Sequence, residues 1–218
     1  MKKKILCYGD SNTWGYIPGG KGRYPEDVRW PKVLQTLLGD EYEIIEDGIN
    51  GRTTCQDKGW GECKNGKTGI GYALLANYPL DGVIIMLGTN DLVEHNAVYA
   101  KNGVAEVIRM VQGANYIYGA DHPIFESDPK ILLVSPILIH KDINSKDTYS
   151  FLNTYEESLK FSKYFKMIAE EKHVEFLDAS KYAEPSDIDG LHMEKQGHIA
   201  LANAIANKTK EMYKTKKL

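Results

Sequence analysis

The chain has 218 residues, of which 42% are hydrophobic and 26% charged, with a formal net charge of -3 at pH 7. A single hydrophobic core suffices up to about 250 residues, so we expect one domain over residues 1–218. The slightly acidic balance argues against binding of nucleic acid, which requires clustered positive charge. The basic residues between positions 208 and 217 are interpreted as the solvated end of a helix, where cations stabilise the helix dipole.

The N-terminal segment MKKKILCYGD begins with positive charge. It lacks the apolar core of about 7–15 residues that a signal peptide carries. No stretch reaches about 18 consecutive apolar residues, which a membrane-spanning helix needs. We therefore expect a cytoplasmic protein that does not bind membranes.

The three cysteines are Cys7, Cys55 and Cys63. Their spacing fits neither a disulfide framework nor a zinc site. We expect reduced thiols, with a pairing or metal site at Cys55 and Cys63 as the alternative.

Short apolar segments alternate with longer segments of helical spacing along the chain. Strands are predicted at residues 3–8, 42–46, 82–87, 130–135 and 174–177. Helices are predicted at residues 30–40, 68–78, 97–114, 149–173 and 194–214. This alternation predicts right-handed crossovers and a mostly parallel, five-stranded sheet between two helix layers.

Polar and reactive residues follow these strands, where open parallel sheets bind their ligands. GDS (9–11) follows the first strand, GINGRTT (48–54) the second and LGTND (87–91) the third. DGLH (189–192) lies shortly after the fifth strand. The fourth strand ends in SPILIH, which offers only Ser135 and His140. Each segment alone also fits an ordinary turn, but their combination at the strand ends predicts a reactive site.

Acyl transfer requires a hydroxyl nucleophile, a base that takes its proton, and an acceptor that fixes the tautomer of the base. Ser11, His192 and Asp189 supply these three groups in the predicted site. The negative oxygen of the tetrahedral intermediate also requires hydrogen-bond donors. The backbone N–H groups of Ser11 and Gly51 and the side-chain amide of Asn90 are the candidates.

These segments resemble the SGNH or GDSL-type hydrolases, a superfamily of serine esterases and lipases. GDSNTWG, GRTT and LGTND are more similar to the arylesterase and acyltransferase branch than to the plant lipases. Asn12 is a departure, since many members have leucine there. The matching positions are Gly9, Asp10, Ser11 and Thr13 in the first block, Gly51 in the second, Gly88, Asn90 and Asp91 in the third, and Asp189 and His192 in the last.

The resemblance implies a three-layer α/β/α sandwich of the flavodoxin-like type, with Ser11, Asp189 and His192 as catalytic residues. It also implies an oxyanion hole formed by Ser11, Gly51 and Asn90, and no metal or organic cofactor. The other common serine-hydrolase motif, G-x-S-x-G, is absent around every serine of the chain.

The expected function is hydrolysis of short-chain aryl or alkyl esters through an acyl-enzyme on Ser11, with transfer to an added alcohol as a further outcome. One alternative is the same chemistry on O-acetylated carbohydrates. An alternative of another class is a non-catalytic α/β ligand-binding module, in which the turns serve the structure alone.

Four further residues are assigned to the substrate pocket from their place in the sequence: Asn12, Trp14, Trp60 and His140. Trp60 lies in a long glycine-rich segment, and long loops are often functional. A core position for Trp14 is an equal alternative. For the neighbouring polar residues we expect that Asp91 caps the following helix and that His198 is a hydrogen-bonded helix residue.

The segment 112–128 carries the apolar residues Tyr116, Tyr118, Ile124 and Phe125 in a predicted loop. Such exposure suggests a pocket wall or a subunit contact. Because members of the arylesterase-like branch often form oligomers, we expect a homo-oligomer with this segment at the contact.

Overall fold

The structure, a computed structural model, describes residues 2–57, 61–143 and 154–214. Its centre is a parallel sheet whose strands lie in the order β2-β1-β3-β4-β5. This is the flavodoxin-like order, and it confirms the predicted fold class. The strands are β1 (Lys3–Gly9), β2 (Tyr42–Gly48), β3 (Leu80–Met86), β4 (Phe125–Ser135) and β5 (Glu175–Asp178).

Helices connect the strands and cover both faces of the sheet. They are α1 (Ser11–Trp14), α2 (Trp30–Leu38), α3 (Gly66–Asn77), α4 (Ala97–Gln112), α5 (Ala114–Ile117), α6 (Thr154–Ser158), α7 (Phe161–Glu171) and α8 (Lys195–Tyr213). Short 3-10 helices lie at Gly39–Glu41, Glu62–Lys64, Thr89–Val93 and Ala179–Lys181.

Each face of the sheet has its own hydrophobic core, because side chains alternate between the two faces of a strand. In β1, Leu6 and Tyr8 join the core on the side of α3, α4 and α7. Ile5 and Cys7 join the core on the side of α2 and α8. The strands are therefore apolar on both faces, as the sequence pattern predicts.

The structure corrects two predicted segments. Strand β4 begins at Phe125 rather than at residue 130, and its first residue pairs with Leu80. The helix expected over 149–173 is divided into α6 and α7 in its described part, while residues 149–153 lie outside the described residues.

The early start of β4 also changes the expected subunit contact. Ile124 and Phe125 are buried in the core, and Asn115 holds this segment through hydrogen bonds with the backbone N–H and carbonyl of Phe125. Tyr118 is half-buried, and Tyr116 is 95% exposed. The four residues therefore do not form the exposed apolar loop that the sequence suggests.

The order of the strands creates a crevice at the carboxyl ends of β1 and β3. From β1 the chain crosses to β2 on one side, and from β3 it crosses to β4 on the other. In such sheets this switch point is where ligands bind. Within the described ranges, no helix is long and apolar enough to cross a membrane.

Candidate active site

Strand β1 ends in the short helix α1, whose first residue is Ser11. The carboxylate of Asp10 caps this helix, since its Oδ1 accepts a hydrogen bond from the backbone N–H of Asn12 at 3.0 Å. Burial raises the pKa of Asp10 to about 6, against the opposing effect of that hydrogen bond. Gly9 permits the tight turn, because a Cβ atom there would lie 2.0 Å from Oγ1 of Thr13.

Ser11, His192 and Asp189 form a continuous hydrogen-bonded chain. Nε2 of His192 lies 3.0 Å from Oγ of Ser11, and Nδ1 lies 2.8 Å from Oδ2 of Asp189. Partial burial raises the pKa of Asp189, but hydrogen bonds and the charge of His192 outweigh it and lower the pKa to about 2. The carboxylate is thus the ionised acceptor that an imidazole base requires.

Asp189 and His192 lie on a loop of residues 186–193, called the Asp–His loop below. Oδ1 of Asp189 accepts the backbone N–H groups of Leu191 and His192, each at 3.0 Å. The backbone N–H of Ser186 donates to the carbonyl of His192 at 2.8 Å. These bonds fold the loop so that both side chains point towards Ser11.

Asn12 joins α1 to the Asp–His loop. Its Nδ2 donates to the carbonyl of Leu191 at 3.1 Å, and its Oδ1 accepts the N–H of Met193 at 3.0 Å. The residue is only 4% exposed. The structure places the amide of Asn12, a residue predicted in the substrate pocket, between two backbone segments.

Residues 16–23 form a small hairpin, called the glycine hairpin below, that packs against the Asp–His pair. Tyr16 pairs with Arg23, and the tip residue Gly19 donates its N–H to Oδ2 of Asp189 at 3.1 Å. The ring of Tyr16 lies 4.3 Å from the imidazole of His192, tilted by 32°. Our sequence reasoning missed this hairpin, although its three closely spaced glycines signal a tight reversal of the chain.

Trp14 is half-buried and packs against the glycine hairpin. The guanidinium of Arg23 lies 5.1 Å from its ring centre, and Nε of Arg23 donates to the carbonyl of Trp14 at 2.7 Å. The ring of Tyr16 lies 6.3 Å away. The Trp14 side chain, at the end of α1, is therefore partly packed and partly open.

Gly51 and Asn90, the expected oxyanion donors, lie after β2 and β3. Gly51 adopts a φ of 79°, a left-handed conformation that favours glycine. Nδ2 of Asn90 donates to the carbonyl of Arg52 at 3.1 Å, which orients the amide. The turn after β2 is itself tied to β1, because the N–H of Ile49 donates to the carbonyl of Gly9 at 3.1 Å.

Arg52 is a buried charge that sequence reasoning missed. Its Nη1 donates to the carbonyls of Gly9 and Asp47 at 3.0 and 2.7 Å, and Nη2 to Oδ1 of Asp47 at 2.7 Å. The guanidinium lies 4.0 Å from the ring centre of Tyr8. The Arg52 side chain thereby links the carboxyl ends of β1 and β2.

Asp91 does not cap the following helix as predicted. Its carboxylate accepts the N–H and the hydroxyl of Thr54, the latter at 2.6 Å. The cap of α4 is Asn96, which accepts the N–H of Tyr99 at 3.0 Å. Asp91 therefore connects the segments after β2 and β3 instead.

His140 contacts the outer side of the Asp–His loop. Its backbone N–H donates to the carbonyl of Gly190 at 2.8 Å, and its Nε2 lies 3.2 Å from Oδ1 of Asp187. It lines a cleft of about 810 Å³ together with Tyr182 and Glu194. The fourth predicted pocket residue, Trp60, lies outside the described residues.

His198 is fully buried in α8, and the expected hydrogen bond is contradicted. Neither ring nitrogen has a hydrogen-bond partner among the residues described. Its ring packs edge-on against Tyr24, with the centres 5.3 Å apart. Burial, followed by the charges of His192 and Arg29, lowers the pKa of His198 to about 3. The imidazole is therefore a neutral core group.

All three cysteines are free thiols, with Cys7 buried and Cys63 exposed. Across the described ranges, no group of three or more His, Cys, Asp or Glu side chains is arranged to hold a metal ion.

The fold is a flavodoxin-like α/β sandwich that brings Ser11, His192 and Asp189 into one hydrogen-bonded chain at the switch point of its sheet. The model of the GDSL-like lipase/acylhydrolase family matches residues 7–200. The chain belongs to this family. The resemblance to SGNH hydrolases seen in the sequence is thereby confirmed.

Its structural relatives include two kinds of esterase. A carbohydrate acetylesterase family member from Sinorhizobium meliloti is 32% identical with a TM-score of 0.88, covering 96% of this chain and 98% of that one. The inhibitor-bound aryl esterase of M. smegmatis is 30% identical with a TM-score of 0.86, covering 96% and 99%.

A curated relative, the acetylxylan esterase of Xylanibacter ruminicola, is 26% identical over 219 residues. The match covers 93% of this chain but only 42% of that protein. The chain therefore spans less than half the length of this curated relative.

Proposed function

We propose that the chain hydrolyses esters of short acyl groups through a covalent acyl-enzyme on Ser11. The observation that carries this proposal is the hydrogen-bonded chain from Ser11 through His192 to Asp189, at 3.0 and 2.8 Å. Nε2 of His192 takes the hydroxyl proton while Oγ of Ser11 attacks the carbonyl carbon of the ester. The tetrahedral intermediate then collapses, and His192 gives the proton to the departing alcohol oxygen.

The second half of the cycle repeats these steps with water. His192 takes a proton from water, whose oxygen attacks the acyl carbon, and then returns the proton to Oγ of Ser11 as the acid leaves. An alcohol that replaces this water yields a new ester by the same proton transfers. Partition between hydrolysis and acyl transfer thus depends on which hydroxyl compound reaches the acyl-enzyme.

Three donors are assigned to the negative oxygen of both intermediates. They are the backbone N–H groups of Ser11 and Gly51 and Nδ2 of Asn90. The positions of these residues after β1, β2 and β3 support this assignment, as does the orientation of the Asn90 amide by Arg52. Removal of one such donor typically costs about 2.7–4 kcal/mol in the barrier.

We assign Trp14 and Tyr16 to the wall of the substrate pocket. Both side chains are half-buried, and the Tyr16 ring lies against His192. Aromatic side chains provide apolar contact area with little loss of conformational entropy. Such a wall fits the acyl group or an aromatic alcohol portion of the ester.

A second candidate substrate is an O-acetylated carbohydrate. It is favoured by the carbohydrate acetylesterase and acetylxylan esterase among the relatives. The chemistry on Ser11 is identical, and the two candidates differ in the alcohol that leaves. Hydrolysis of p-nitrophenyl acetate, butyrate and octanoate, measured beside release of acetate from acetylated xylo-oligosaccharides, separates them.

We also propose a homo-oligomer, now with exposed aromatic residues of α3 and α5 at its contact. Tyr72 is 74% and Tyr116 95% exposed, and the two helices are linked where Gly71 lies against the Tyr118 ring. Light scattering at micromolar concentration tests this directly. A monomeric mass rules the oligomer out.

The test of the catalytic proposal is labelling with a fluorophosphonate, which reacts with an activated serine. Wild-type protein should incorporate one phosphonyl group on Ser11, located by peptide mass spectrometry. Ser11→Ala should be unlabelled and inactive, with its thermal unfolding unchanged. An unlabelled wild type, or a Ser11→Ala variant that keeps esterase activity, overturns the proposal.

A further inference from the structure

We propose that Asn12 is a positioning residue that holds His192 at hydrogen-bond distance from Ser11. This inference rests on the proposed function of Ser11 and His192. The side chain of Asn12 binds the backbone on either side of His192, through the carbonyl of Leu191 and the N–H of Met193. The donor and the acceptor of one side-chain amide thus hold the backbone on the two sides of His192.

The residue that makes these two hydrogen bonds lies in the same helix as Ser11. Asn12 follows Ser11 directly in α1, and its own N–H is held by Oδ1 of Asp10 at 3.0 Å. The backbone of Asn12 therefore cannot move independently of Ser11. The side-chain amide of Asn12 fixes residues 191–193 relative to α1. It thereby sets the distance from Nε2 of His192 to Oγ of Ser11.

Two other hydrogen bonds that reach the Asp–His loop from outside hold different atoms. The glycine hairpin binds the carboxylate of Asp189 through Gly19, and the N–H of His140 binds the carbonyl of Gly190. Both lie before His192 in the chain. Asn12 alone among these contacts reaches the backbone on both sides of the imidazole, so it controls the position of the base rather than that of the acid.

Leucine is the informative substitution at this position. Its side chain has the same branching and the same number of heavy atoms as asparagine but neither donor nor acceptor, and many SGNH hydrolases carry it there. The fold of the family therefore accommodates the side chain. Asn12→Leu leaves the carbonyl of Leu191 and the N–H of Met193 without these partners, while the bonds made by Gly19 and His140 remain.

The experiment compares wild type, Asn12→Leu and Asn12→Ala on p-nitrophenyl acetate and with the fluorophosphonate. Misplacement of a reacting group by about 1 Å can cost about 100-fold in rate, so we expect kcat to fall by about 10- to 100-fold. KM should stay within about two-fold, because the contact is made to the loop and not to the ester. The rate of fluorophosphonate labelling should fall by the same factor as kcat.

Asn203→Leu is the matched control. Its Nδ2 donates to the carbonyl of Ile199 at 2.8 Å on the exposed side of α8, so the same amide is removed away from the site. Its kinetic constants should equal those of the wild type. Circular dichroism establishes whether each variant is folded. If Asn12→Leu does not fold, Asn12→Ala takes its place in the comparison.

The outcomes distinguish this inference from the proposed function. A labelled, active wild type with an Asn12→Leu variant of equal kcat overturns the positioning role and leaves the catalytic proposal intact. A variant with raised KM and unchanged kcat also overturns it, because Asn12 would then contact the substrate. A wild type that is neither labelled nor active rejects the catalytic proposal itself.

Discussion

Gly48, the last residue of β2, lies directly against Trp14, the last residue of α1. A Cβ atom at position 48 would lie 2.2 Å from the backbone nitrogen and 2.6 Å from the Cα atom of Trp14. Both atoms belong to the backbone, so no rotation of a side chain can relieve the overlap. The absence of a side chain at position 48 is what allows the Ser11 helix to pack on the end of the sheet.

Gly48→Ala is therefore expected to displace α1. Overpacking of this kind typically costs about 1–3 kcal/mol of stability, and urea unfolding should show a loss in this range. Because Ser11 lies on the displaced helix, kcat for p-nitrophenyl acetate should fall by at least about ten-fold. Wild-type values of both quantities would show that the helix tolerates the methyl group.

Arg52→Met should lower stability through the loss of a buried charge. The Arg52 side chain is only 2% exposed and Asp47 is left without its ionic partner. Breaking a buried pair typically costs about 3–5 kcal/mol, although the partial exposure of Asp47 places the expected loss near about 3 kcal/mol. Lys3→Met breaks a solvent-exposed pair with Asp81 and should cost less than about 1 kcal/mol. Equal losses for the two variants would contradict a structural role for Arg52.

Asn90→Ala tests the assigned oxyanion donor. We expect kcat to fall by about 100- to 1,000-fold, while the lost bond to the carbonyl of Arg52 lowers stability by only about 1 kcal/mol. Asp91→Asn is the comparison, since that carboxylate holds Thr54 and its loss should act mainly on stability. A mainly unfolded Asn90→Ala protein with residual activity per folded molecule near that of the wild type would reject the catalytic assignment.

His198 should make the protein less stable in acid. The unfolded state binds a proton near pH 6.5, whereas the buried imidazole, with a pKa of about 3, does not. Between these values the unfolded state therefore holds more protons, and stability falls as the pH falls, by up to about 1.4 kcal/mol per pH unit. Asp10 acts in the opposite direction, because burial raises its pKa from 3.8 to about 6 and its native form binds the proton first.

The two effects are separated with His198→Leu. The difference in unfolding free energy between this variant and the wild type cancels the contribution of Asp10. It should shift in favour of the variant as the pH is lowered from 6.5 towards 3, in urea titrations at each pH. A difference that does not vary with pH would contradict the neutral state of the buried imidazole.

Local signals predict much of this molecule. The strands can be predicted because their residues are apolar on both faces. The positions of Ser11, Asp189 and His192 follow from the rule that ligands bind beyond strand ends. Ile124 and Phe125 were misplaced because an apolar segment beside a turn has the same composition in a loop and in a core strand.

The contacts that hold the site could not be read in the same way. Asn12 binds backbone atoms of residues 191 and 193, and Gly19 reaches Asp189 through its own backbone N–H. Backbone N–H and carbonyl groups are alike at every position, so the sequence does not indicate which backbone group a distant side chain will bind. Arg52 is a partial exception, since a charged residue directly after a predicted oxyanion glycine invites a search for a buried partner.

The hydrogen bond between Ser11 and His192 joins positions 181 residues apart. Synthesis proceeds from the N-terminus at about 5–20 residues per second, so Ser11 is made roughly 10–40 s before His192. The strands of the sheet must also pair before Ser11 and His192 can form their hydrogen bond. Under the proposed function, a growing chain therefore carries a Ser11 hydroxyl that is not activated until the Asp–His loop has folded against it.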